Sequence, residues 1–135
     1  MTNRLRLGLA AALLALPACG PKATDSGVRA SLGAHPLDEV GEVYKYIAAE
    51  RKPPPAKLAD LEAYEPSLPT AWPKLQSGEL VVYWGSGAGK GADATRTVLG
   101  YEKDVPASGG KVLMQDGSVK AMTAGEFQSA PKAKR

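Results

Sequence analysis

The chemistry open to this chain begins with one thiol. Cys19 is the single cysteine in 135 residues, and a thiolate is the strongest nucleophile among ordinary side chains, able to take an alkyl group from a lipid donor. It has no disulfide partner in the chain, and a leftover thiol in an oxidising compartment invites cross-linking that a thioether does not. His35 is the only histidine. Without a second one or a further thiol, it builds neither a metal site nor a nucleophile and base pair, and it reads as a helix-flanking residue. Asp38 with Glu39, and Asp60 with Glu62, have the groups for acid and base work. On short amphipathic segments such pairs serve as caps and solvated faces. Asp116 alone offers too few oxygens for calcium, which takes roughly six to eight.

Residues 85–91, Gly-Ser-Gly-Ala-Gly-Lys-Gly, look like a phosphate cradle but lack its parts. Trp84 stands where the first glycine is required, Gly91 stands where a hydroxyl should meet magnesium, and a strand pattern follows instead of a helix. Counted from Gly85, Lys90 occupies the last glycine of a dinucleotide fingerprint. The segment reads as a mobile hairpin loop, and no nucleotide, cofactor, metal or catalytic set is expected. Nor is nucleic acid. Without Arg4 and Arg6, fifteen basic residues face fourteen acidic ones, and Lys132, Lys134 and Arg135 cluster at the end, leaving no basic stripe to track phosphates.

The elements around these residues start with an export signal. Arg4 and Arg6 precede an apolar run over 7–16. That run is half the roughly twenty residues needed to span a bilayer, so residues 1–18 read as a cleaved secretory signal. Leu16-Pro17-Ala18-Cys19 resembles the lipobox of bacterial lipoproteins, with Pro17 departing from the commoner small or β-branched residue. The resemblance implies that Leu16, Ala18 and Cys19 form the recognition sequence, that Cys19 is lipidated, and that the chain is anchored in a membrane of the cell envelope. Acyl chains contribute about 0.8 kcal/mol per buried CH₂. Gly20 and Pro21 carry no acidic mark of inner-membrane retention, so the outer membrane is favoured. Residues 19–34, rich in small and polar types, read as a flexible tether.

An α+β domain is expected over 35–128. Pro36, Asp38 and Glu39 suit a helix start, and Leu37, Val40, Val43 or Tyr44, and Ile47 recur at helical spacing until Pro53-Pro54-Pro55. A short helical turn is expected at 58–61, closing at Tyr64-Glu65-Pro66. From Leu68 the prolines and β-branched residues predict mainly sheet, with strands over 79–84, 95–101, 111–115 and 118–122. Asp116-Gly117 predicts a two-residue hairpin turn that pairs Met114 with Val119 and Val112 with Ala121, all four on one face. Thr123 and Glu126 form a capping box for a last short helix, and 129–135 reads as a basic disordered tail. Tyr44, Tyr46, Tyr64, Trp72, Tyr83 and Trp84 are the aromatics to watch for partner binding. Tyr83 and Trp84 face opposite sides of one strand, so one of them is a candidate exposed anchor.

The stretch 112–119 with its Asp-Gly turn, followed by Glu126-Phe127, resembles the C-terminal hairpin of pseudopilin-like proteins related to type II secretion, abundant in planctomycetes. Residues 51–55, 58–61 and 78–85 are similar to segments of small lipoproteins with the same ending. The resemblance covers roughly 52–128 and implies a pilin-like head, an N-terminal amphipathic helix laid on a small antiparallel β-meander. Ser118 replaces the family's histidine, and a lipobox replaces its prepilin peptidase site and long apolar helix, which puts fibre assembly in doubt. Two functions follow as expectations. One is a non-catalytic, lipid-anchored envelope protein that binds another envelope protein in secretion or surface assembly. The other is a small enzyme using carboxylates near the glycine-rich loop, which needs a concave site by Lys90, Asp93 or Asp104.

Overall fold

A computed structural model describes residues 35–134. Leu16, Ala18, Cys19 and the tether lie outside the described residues, as does Arg135.

The first helix, α1 (Pro36–Ala49), forms where its pattern predicts. His35 caps it through Nδ1, which accepts the Leu37 N–H at 3.2 Å, while Asp38 reaches back to the His35 N–H at 3.0 Å. Leu37, Val40, Val43, Tyr44 and Ile47 are buried. Arg51 turns the chain out at φ 54°, and the prolines follow. The expected turn at 58–61 extends into a 3-10 segment, Leu58–Ser67. Three residues per turn put Leu58, Leu61 and Tyr64 on one side, where all three pack on the core.

A helix, α2 (Ala71–Ser77), stands in the region expected to be mainly sheet. Pro73 falls in its first turn, where a missing N–H costs nothing. The N–H groups at its start, those of Thr70 and Ala71, are satisfied from α1, while that of Trp72 donates to the Leu68 carbonyl. Glu39, buried at 6% exposure, accepts from the Thr70 N–H at 3.0 Å, the Thr70 hydroxyl at 2.6 Å and the Ala71 N–H at 2.8 Å.

Strands β1 (Leu80–Val82), β2 (Val98–Glu102), β3 (Gly110–Met114) and β4 (Val119–Met122) form an antiparallel meander in sequence order. One turn of helix, α3 (Val105–Ser108), joins β2 to β3, and α4 (Ala124–Ser129) ends the set with the expected capping box. The hairpin register differs from the expected one. Leu113 pairs with Val119, Val112 with Lys120 and Lys111 with Ala121. The loop is three residues, not two: the Gly117 N–H donates to the Met114 carbonyl and Gly117 takes φ 85°. That is a turn closed by a left-handed glycine, which adds one residue to the loop.

The shift redistributes the apolar residues. Leu113 and Val119 face α1, while Val112 and Met114 face Val98, Val105 and Phe127 in a second cluster, and Ala121 is exposed. The sheet is therefore packed on both faces, where one was expected. The expected disordered tail is also corrected over 131–133. The Val98 N–H donates to the Pro131 carbonyl and the Ala133 N–H to the Val98 carbonyl, each at 2.8 Å, and Ala133 is buried. Strand β1 pairs only with residues 100–102, which leaves these Val98 groups to be taken up by the C-terminal chain.

Candidate functional site

Position 46 lies off the buried stripe of α1, so Tyr46 points to solvent. At 51% exposure it is the exposed large hydrophobic among the described residues. Its ring meets that of Tyr64 edge to face, with centroids 6.0 Å apart and planes at 68°. Tyr64 is placed there by the phase of the 3-10 segment, which brings it beside α1. Between the two elements lies a groove of about 500 Å³ lined by Glu42, Val43, Tyr46, Ala63, Tyr64 and Ser67. On the adjoining side a cleft of about 310 Å³ holds Ile47, Lys52, Asp60, Tyr64 and the three prolines. The Lys52 ammonium lies 5.5 Å from the Tyr46 ring centre and 6.0 Å from that of Tyr64, within cation–π range. Lys45 pairs with Glu42 at 2.7 Å.

Tyr44 of α1 is buried, and its hydroxyl has no hydrogen-bond partner among the described residues. Burial first, and the negative charge of Asp60 second, push its phenol well above the ordinary range.

Tyr83 and Trp84 are both half-buried. Tyr83 packs against both core clusters, 5.9 Å from Tyr101, which in turn lies 4.7 Å from Phe127. Trp84 packs on the α1 cluster. Neither is the exposed anchor expected of one of them, because β1 ends at Val82 and the chain turns there, so strict alternation no longer applies. Helical period alone separates Tyr46 from Tyr44. Its pairing with Tyr64 carries no local signal.

Asp116 and Gly117 sit at the hairpin tip against α1. Asp116 Oδ1 accepts from the Ser118 N–H at 2.9 Å and hydroxyl at 2.6 Å. Partial burial pushes its pKa up, but the Ser118 bonds, with Lys120 and Lys45 nearby, outweigh burial and hold it below the usual range. The glycine-rich loop is pinned, not a free hairpin loop. Gln115 Nε2 donates to Ser86 Oγ at 3.2 Å and to the Gly87 carbonyl at 3.1 Å, and the Gly85 N–H donates to the Pro55 carbonyl at 2.7 Å.

A polar cleft of about 540 Å³ at the far edge of the sheet includes Lys74, Glu79, Glu102, Lys103 and Asp104. Glu102 accepts from His35 Nε2 at 2.9 Å and from the Lys111 N–H at 2.8 Å. Partial burial raises its pKa; the Lys111 N–H, His35 and Lys74 together outweigh that and hold it lowered. Lys74 is raised by its hydrogen bond to Glu79 and then by that residue's charge. Both groups are held in their charged forms, and both nitrogens of His35 are engaged. Asp93 pairs with Arg96 at 2.9 Å, and Lys90 is exposed.

No family model, curated protein or solved structure matches the chain. The Tyr46 groove is thus assigned on its own chemistry. Among the described residues no helix is long and apolar enough to cross a membrane, and no group of three or more His, Cys, Asp or Glu side chains is placed to hold a metal.

Proposed function

We propose that this chain is a non-catalytic lipoprotein of the bacterial cell envelope, held by lipid on Cys19, whose pseudopilin-like head docks another envelope protein. The observation that carries the docking reading is the Tyr46–Tyr64 edge-to-face pair in an open groove. Exposed tyrosines in concave, partly apolar surroundings are the residue type that anchors protein partners. The pseudopilin likeness is supported by α1 packing on a four-strand antiparallel meander. Anchoring rests on Leu16-Pro17-Ala18-Cys19, and the outer membrane remains the favoured site.

Intact mass after extraction from bacterial membranes tests the anchor. The expected species starts at Cys19 and carries acyl groups, and a Cys19→Ser variant lacks them. An unlipidated chain free in the periplasm or medium would overturn the anchor. A photo-reactive side chain at position 46 tests docking: it should capture one envelope protein reproducibly, and a blank result there counts against the face. The polar cleft beside Asp104 favours the second reading, a small envelope enzyme. Loss of a cellular phenotype on Asp104→Asn with position 46 capture intact would support that reading over docking.

A further inference from the structure

The hydrogen bonds of His35 fix which of its ring nitrogens carries the proton. Nδ1 lies 3.2 Å from the Leu37 nitrogen, whose N–H only donates, so Nδ1 keeps its lone pair and accepts. Nε2 lies 2.9 Å from Glu102 Oε1, and an ionised carboxylate only accepts, so Nε2 carries the hydrogen. Partial burial pulls the Glu102 pKa up, but the Lys111 N–H, His35 and Lys74 outweigh it and hold the carboxyl lowered. One neutral tautomer thus satisfies both partners of the ring. An imidazolium does not: with a hydrogen on each nitrogen it donates twice and accepts nothing.

We propose that His35 is a pH-sensitive cap: a proton taken from solvent onto the Nδ1 lone pair releases the Leu37 N–H and uncaps α1, while the ring stays on Glu102. The His35 side chain is 26% exposed, which gives solvent protons access. From α1, Asp38 accepts the His35 backbone N–H at 3.0 Å and does so whichever form the ring takes. From β2, Glu102 gains a charge-assisted bond once the ring is cationic. From β3 the Lys111 N–H donates to Glu102 at 2.8 Å, and from α2 the charge of Lys74 acts on the same carboxylate. The cleft beside Glu102 also holds Lys103, Asp104 and Glu79, the last paired with Lys74 at 2.8 Å. Protonation therefore exchanges a helix cap for a stronger bond to the sheet, at the residue where segment 1–34 enters the head. His35 is the chain's only histidine, and imidazole is the side chain whose charge ordinarily changes between about pH 5 and 8.

The test follows the full chain, isotope-labelled and held in non-ionic detergent, by NMR from about pH 8 to about pH 5. The ring nitrogens should report the Nε2–H tautomer at the alkaline end and a doubly protonated ring at the acid end. The Leu37 amide proton should move upfield along the ring's own titration curve. Its protection from exchange, taken relative to a free peptide at the same pH, should fall about threefold or more. His35→Asn supplies a preferred cap that accepts without titrating, so the variant should fold and its Leu37 amide should hold its place over the same range. A hydrogen on Nδ1 at the alkaline end, or a ring that does not titrate in this range, overturns the proposal. So does a Leu37 amide that ignores the ring's titration, or an Asn variant that keeps the shift. None of these outcomes depends on whether the Tyr46 face docks a partner.

Discussion

Glu39 of α1 and Thr70, 31 positions later, are joined by two hydrogen bonds, Oε2 from the Thr70 N–H at 3.0 Å and Oε1 from its hydroxyl at 2.6 Å. With the Ala71 N–H also donating to Oε2 at 2.8 Å, the carboxylate serves as the missing N-cap of α2. The bonds tie α2, and β1 after it, to the first helix. Glu39→Ala leaves these donors unpaired where α1 and α2 meet and should cost about 2–4 kcal/mol, with Glu39→Gln in between. Urea unfolding of both variants measures this, and a loss under about 0.5 kcal/mol would show that water replaces the carboxylate.

The helix and hairpin meet at glycines. A Cβ on Gly41 would lie 2.7 Å from the Gly117 carbonyl oxygen and 3.0 Å from Leu113 Cδ1. Gly41→Ala gains about 1 kcal/mol of helix propensity, but the backbone clash should cost more, about 1–3 kcal/mol. Gly125→Ala in α4, where a Cβ meets nothing within 4 Å, keeps only the gain. The pair should move the thermal midpoint in opposite directions.

Tyr44 keeps a buried hydroxyl without a partner among the described residues. Tyr44→Phe removes that polar atom and preserves the ring, so stability should stay level or rise by up to about 2 kcal/mol. A clear loss in chemical denaturation would reveal an unseen bond.

Glu102 links the start of α1 to the sheet through His35, and its pKa is held low. A depressed folded-state pKa adds stability above the unfolded value, about 4.3 for Glu, and that stability is lost as pH falls through the lower folded value. With the side chain 39% exposed the effect is screened. Unfolding midpoints should fall below about pH 4, and Glu102→Gln should flatten that acid limb; an unchanged limb assigns it to other carboxylates, Asp116 first.

Local signals made much of the head legible. Helix α1 came from a 3.6-residue apolar period between Pro36 and Pro53, α4 from Thr123 and Glu126, and the place of the last hairpin from Asp116-Gly117, since each depends on residues within a few positions of one another. Helix α2 was not legible, because its cap is supplied by Glu39 from another element. The hairpin register turned on whether Gly117 closes a two-residue or a three-residue loop, and that one residue sends Met114 and Val119 to opposite faces. The docking of 131–133 depends on Val98 groups that β1 leaves open. The same division runs through the candidate site. The sequence by itself determined that Tyr46 falls outside the buried stripe of α1, because helical period is a local property. Only the tertiary structure decided that Tyr64 and Lys52 join it and that Tyr83 and Trp84 pack away, because those contacts arise where separate elements meet.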